Sequence, residues 1–268
     1  MQIKTYFVDA FTNEIFKGNP AAICVIENEL ADTVMQNIAF EIGFSETAFT
    51  RHDSENNFKI RFFTPKKEIP LCGHATLAAS KIIFETSSLT GISFLNIEDT
   101  IFFTEKSGSQ IKMEFPVYGT ENIAVPEIML NALGIKAINA SVYNKHLDII
   151  VIEIDSIDDL RKLEPDFAAL IKSYTGINGV LITAKANRDE FDFHYRYFWP
   201  WSGTDEDPVT GAVQTFLTKY WADRLNTTML ESFQSSKRTG RMKTELANDK
   251  VFIYGEAVIV MEAILKVN

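Results

Sequence analysis

The chain has 268 residues, enough for one large domain or two of ordinary size, and 46% hydrophobic with 23% charged residues is the profile of a globular protein. No run approaches the roughly 18 uninterrupted apolar residues of a membrane span, and residues 1–16 lack the basic start and cleavage site of a secretory leader, so a cytoplasmic protein without a membrane partner is expected. The formal net charge of −10 repels phosphate backbones and argues against nucleic acid as a partner; the short basic cluster Lys237, Arg238, Arg241 and Lys243 reads as a solvated hairpin.

In chain order, Ile3 to Val8 alternates like a strand, and the apolar run Ala21 to Ile26 predicts a second strand that buries Cys24. Asp32 to Ile42 reads as a surface helix. Glu46 follows in Phe44-Ser45-Glu46-Thr47-Ala48-Phe49, where a strand of small and apolar neighbours begins. A carboxylate in such surroundings loses hydration, which raises its pKa and makes it a general base and acid. An N-cap or an exposed strand-end acid explains the same position equally well.

Phe58 to Phe63 predicts a further strand, then a Pro-bearing loop leads to Cys72-Gly73-His74 and the helical pattern HATLAASKIIF. Its apolar residues fall on more than one side, so the helix is expected to be buried. His74 stands at the helix start, where the positive end disfavours its protonated form and the ring could relay a proton; a structural donor is the plainer reading. Cys72 could be a thiolate base at the same helix end.

A strand at Ile111 to Phe115 precedes polar, Gly and Pro residues over 116–126 that break the pattern. The expected halves are 1–118 and 119–268, with the C-terminal strand able to return to the first. The second half reads as strands at Ile149 to Ile154 and Gly179 to Thr183, a surface helix at Asp166 to Tyr174, and late strands at Val251 to Tyr254 and Ala257 to Met261.

The two halves carry a repeat. Arg61-Phe62-Phe63-Thr64-Pro65 with Glu68, Pro70 and Gly73 is matched by Arg196-Tyr197-Phe198-Trp199-Pro200 with Glu206, Pro208 and Gly211. A helical pattern follows each glycine. A glycine turn feeding a buried helix offers free N–H groups and a partial positive charge to an anion. Two such turns facing one cleft would hold a carboxylate substrate for proton removal and return, as an isomerase or epimerase requires. Asp207, four residues before Gly211, could receive a proton, orient His74 or accept from Thr210.

No HExxH, paired CxxC, EF-hand loop, Walker loop or strand-borne GxGxxG occurs, and the four histidines are scattered, so neither a metal nor another cofactor is expected.

The segments YFVDAFT, FKGNPAAICVI, FSETAF, RFFTPKKEIPLCGHATLAAS, RYFWPWSGTDEDPVTGA and FQSSKRTG resemble the PhzF-like (phenazine biosynthesis-like) family. The resemblance covers nearly the whole chain, with LCGHATLA and DEDPVTG its specific stretches. It implies an α+β fold of two pseudo-symmetric halves, each a strand barrel wrapped around a central helix as in diaminopimelate epimerase, a homodimer, and a cofactor-independent proton shift on a small carboxylic acid. It assigns catalysis to Glu46, His74 and Asp207, and substrate binding to Gly73, Gly211, Ala212 and Asn19. The chain departs from the family at Ala212-Val213-Gln214, where Ser-Ala-His is frequent, so the phenazine precursor is not carried over as substrate. Two other functions compete: an amino-acid racemase or epimerase using Cys72, whose repeat counterpart is Thr210 and not a second thiol, and a non-catalytic protein that binds small acids.

Overall fold

A computed structural model describes residues 1–186 and 190–267. The chain divides into two units, one formed by Met1–Phe115 together with the chain from Phe252 onward, the other by Pro116–Val251.

The first unit contains β1 (Gln2–Ala10), β2 (Asn19–Val25), α1 (Asp32–Ile42), β3 (Glu46–Ser54), β4 (Asn57–Phe63), β5 (Glu68–Ile69), α2 (Gly73–Thr86), β6 (Gly91–Leu95), β7 (Ile101–Ser107) and β8 (Gln110–Pro116). β1 and β2 are antiparallel, β2 and β3 parallel, β3 and β4 antiparallel, β4 and β6 parallel, and β6 and β7 antiparallel. Ten of the 14 residues of α2 are buried, and it packs against β1, β2, β3 and β7. A helix apolar on nearly every side is stable only inside such a wrap of strands. Its alanines, Ala75, Ala78 and Ala79, are fully buried and let the strands approach closely. Beneath α1, a second cluster joins Met35, Ile38 and Ala39 to Cys24, Phe49 and Phe63.

The second unit contains β9 (Glu121–Asn122), α3 (Glu127–Leu133), β10 (Ala140–Asn144), β11 (Ile149–Glu153), α4 (Ile157–Lys162), α5 (Phe167–Ser173), β12 (Gly179–Lys185), β13 (Phe193–Trp199), β14 (Thr204–Glu206), α6 (Gln214–Leu225), β15 (Met229–Gln234) and β16 (Gly240–Ala247). Its directions repeat those of the first. β10 and β11 are antiparallel, β11 and β12 parallel, β12 and β13 antiparallel, β13 and β15 parallel, and β15 and β16 antiparallel. α6 buries Phe216, Leu217, Tyr220 and Trp221 and packs on β15 and β16. The remaining strands are β17 (Lys250–Gly255) and β18 (Ala257–Lys266), and β18 pairs antiparallel with β1 from Gln2↔Lys266 to Ala10↔Ala257.

The sequence repeat is a repeat of structure. Arg61 donates through Nε and Nη2 to the two oxygens of Glu68, at 2.7 Å each, and Arg196 does the same to Glu206 at 2.7 and 2.9 Å. Each guanidinium also lies over a ring of its own strand, Phe63 at 5.3 Å and Phe198 at 4.8 Å. Planar bidentate pairs of this kind fix the strand-to-loop corner that precedes each central helix.

The two corners differ in how the helix begins. α2 starts at Gly73, whereas Gly211 to Val213 form one tight turn before α6, with Gln214 N–H donating to Gly211 O at 3.0 Å and Thr215 N–H to Ala212 O at 3.2 Å. Asp166, expected within a helix, caps α5 by accepting from Ala169 N–H at 3.0 Å. No helix among the described residues is long and apolar enough to cross a membrane.

Candidate active site

In the first unit the site is built where β2, β3 and α2 begin. Gly18 has a φ of 65°, and a Cβ there would come within 2.1 Å of Ala10 O, so only glycine closes this turn. The turn delivers Asn19 as the first residue of β2, and the parallel register places Glu46, the first residue of β3, opposite Ala21. α2 supplies His74 as its second residue, after Cys72 in an extended N-cap conformation.

These elements bring four side chains together. His74 Nε2 lies 3.1 Å from Glu46 Oε2, His74 Nδ1 lies 3.3 Å from Asn19 Nδ2, and Cys72 Sγ lies 3.4 Å from His74 Nδ1. Glu46, Cys72 and His74 are 6%, 7% and 8% exposed and Asn19 is fully buried, so the cluster sits in a low-dielectric pocket. Asn19, expected at the substrate, contacts the imidazole. A half-turn of its amide presents either N–H or C=O to Nδ1, so it can support a neutral or a protonated ring.

The pKa shifts are opposite to the sequence expectations. Burial alone would push Glu46 up, but the charge of His74, its contact, and Ser45 outweigh it and hold the carboxyl below its ordinary 4.5. Burial alone would push His74 down, but Cys72 and Glu46 carry it well above its ordinary 6.5. Burial raises the Cys72 thiol against the pull of His74, which favours the neutral thiol over the thiolate base that the helix end could support. Both shifts of the Glu46–His74 pair favour the charged forms, carboxylate for Glu46 and imidazolium for His74.

A Cβ added at Gly73 would meet nothing within 4 Å, so space lies open beside the first residue of α2. Among the described residues, Glu46, Cys72 and His74 are also the group whose ligand atoms, all within 4.8 Å of one another, could hold a metal ion.

The second unit places Asp207, Gly211 and Ala212 together in one loop. Asp207 is 8% exposed, its carboxylate accepts from Thr210 Oγ1, and its N–H donates to Tyr197 O at 3.1 Å. Gln234 closes the loop at both ends, accepting from Thr210 N–H at 2.7 Å and donating to Asp207 O at 2.7 Å, while Ser236 Oγ donates to Pro208 O at 2.5 Å. Gly211 is buried and Ala212 exposed. The signal that could have marked Gln234 and Ser236 is the FQSSKRTG segment, which carries both.

The shared register exposes an asymmetry. Phe63 pairs with Thr47 and Phe198 with Val180, so the residue before each partner, Glu46 in one unit, is Gly179 in the other. A Cβ at Gly179 would lie 2.6 Å from the Tyr197 ring and 2.7 Å from Phe198 O. By the repeat, Cys72 and His74 correspond to Thr210 and Ala212. The second unit thus has no carboxyl, imidazole or thiol at these three positions.

The duplicated strand-and-helix fold thus carries one buried Glu46–His74 pair, at the start of α2. The family model described as "Phenazine biosynthesis-like protein" matches residues 8–263, and the chain belongs to that family. A curated relative named "Uncharacterized isomerase" from Halalkalibacterium halodurans is 39% identical over 267 residues, covering 98% of each chain. The crystal structure of a phenazine biosynthesis protein of the PhzF family from Enterococcus faecalis is 34% identical, covers 100% of both chains and superposes with a TM-score of 0.93. A hydroxyproline epimerase from Agrobacterium vitis, with bound trans-4-hydroxy-L-proline, covers 98% of this chain and 92% of its own at 10% identity and a TM-score of 0.59, a likeness of fold alone.

Proposed function

We propose that the protein is a cofactor-independent isomerase that shifts a proton on a small cyclic or amino carboxylic acid, with Glu46 as the single acid/base group. The observation that carries this reading is the ion pair of Glu46 and His74 beside the open start of α2. The substrate carboxylate takes the free N–H groups at that helix start. Glu46 removes a proton from a carbon made acidic by the carboxylate or a conjugated ring. His74, still protonated, stabilises the negative charge that develops. The neutral Glu46, which can exchange its proton with solvent in between, then returns a proton at another position, so atoms and charge balance without any further reactant. Asn19 orients His74. The resemblance assigns Asp207 to catalysis and Gly211 to substrate binding, and both stand in the loop that Gln234 clamps.

The missing counterparts at Gly179, Thr210 and Ala212 favour this over a two-base racemase, which needs an acid/base group from each half. The protein is further proposed to act as a homodimer in the cytoplasm, checked by its sedimentation mass and by fractionation.

The test is entry of solvent deuterium into a panel of cyclic and amino carboxylic acids. At least one acid gains deuterium with the parent chain, and Glu46→Gln slows its entry by at least about 100-fold, the usual weight of a general base. Entry at the parental rate in Glu46→Gln removes Glu46 from this role.

A further inference from the structure

We propose that Glu46, Cys72 and His74 form a binding site for one thiophilic divalent cation, zinc above all, and that the bound ion shuts the acid/base pair down. The three side chains offer a carboxylate oxygen, a sulfur and an imidazole nitrogen, the donor types zinc takes. Zinc bonds of about 2.0–2.3 Å in a tetrahedron set neighbouring ligand atoms about 3.3–3.6 Å apart. His74 Nε2 lies 3.1 Å from Glu46 Oε2 and 3.8 Å from Cys72 Sγ, close to these separations, and a rotation of the Cys72 side chain would bring the sulfur round to the Nε2 side. One ligand atom from each of the three residues lies within 4.8 Å of the other two.

Two further observations favour the ion. Glu46 Oε2 is buried and, although paired with His74, receives no well-aligned hydrogen bond, so it keeps a lone pair for a metal. Charge also balances. A divalent ion with one carboxylate, one thiolate and one neutral imidazole sums to zero, the state a buried pocket tolerates best. Binding displaces the thiol proton and the Nε2 proton to solvent. The fourth position is left to water or a substrate carboxylate. Once coordinated, Glu46 cannot take a proton from carbon.

The experiment is a titration of the purified full chain, stripped with chelator, with cobalt(II) as a coloured stand-in for zinc. One equivalent produces a thiolate-to-cobalt charge-transfer band that zinc abolishes. Cys24→Ser keeps the band, Cys72→Ser loses it, and Glu46→Gln weakens cobalt binding at least about tenfold, as loss of a ligand should exceed loss of an outer hydrogen bond. No band in the parent chain, or a band kept in Cys72→Ser, overturns the proposal. Should Cys72→Ser not fold, unchanged affinity in Glu46→Gln overturns it alone. Binding is read without turnover, so its failure leaves the proton-shift reading intact. One equivalent of zinc also halts deuterium entry into a responsive acid, and chelator restores it; entry unaffected by bound zinc contradicts the shut-down.

Discussion

Glu46 and His74 each hold the other in its charged form inside the protein. Removing one partner of a buried pair leaves an uncompensated charge, at a cost of about 3–5 kcal/mol. His74→Ala should therefore lower unfolding stability by about 3 kcal/mol at pH 7 in urea titrations, while Glu46→Gln, which removes the charge and keeps the shape, should cost less. The pH dependence has two limbs. Glu46 is depressed below 4.5, so its contribution to stability is present above that value and is lost as pH falls through its lower folded pKa. His74 is raised above 6.5, so its contribution is full below that value and is lost as pH rises through its higher folded pKa. The proposed proton shift needs the carboxylate and the imidazolium together. Its pH profile should hold a plateau from 4.5 to 6.5 and beyond on both sides. A maximum confined to pH values well above His74's raised pKa would show that neutral imidazole is the working form. The position of Glu46 was legible from its small, apolar neighbours. The sign of its shift was not, because its partner arrives from a helix 28 residues further along the chain.

At the level of elements, register does the positioning. Glu46 opens β3 because β3 pairs in parallel with β2 from Ala21 onward, and a slip of one residue would turn the carboxyl to the opposite face. In the second unit, the loop from Asp207 to Gly211 depends on Gln234. Gln234→Ala strips a partner from Thr210 N–H and from Asp207 O, both in a part-buried or buried setting. The expected loss is about 1–3 kcal/mol with faster amide exchange at Thr210; unchanged exchange there would show that the loop is held by other contacts. α1 was readable to the residue because Asp32 opens it and Gly43, at φ 71°, ends it in the left-handed conformation. β15 and β16 were not readable. Their inward faces carry Ser232, Gln234 and Thr244, all fully buried, so the apolar alternation that marks a strand is missing. The polar residues that hide these strands include the one that clamps the Asp207 loop.

Across the whole chain, the duplication was legible because two arginine–glutamate corners and two glycine turns survive in order. Its consequence was not, since only register shows that Glu46 has a glycine as its counterpart. Gly179 is locked by the Tyr197 ring, where the first unit has Phe62. Restoring a carboxyl by Gly179→Glu should thus disrupt the fold and not create a second base, read as a fall of several degrees in Tm. In the proposed function one carboxyl, Glu46, both removes and returns the proton. The measurement that tests this most directly is the fate of the substrate's own hydrogen during a single turnover in deuterated water. A single buried carboxyl predicts that part of the product keeps the original hydrogen at its new position, and that Glu46→Gln ends removal and return together. Product that always carries solvent deuterium, with removal persisting in Glu46→Gln and lost in Cys72→Ser, would contradict it.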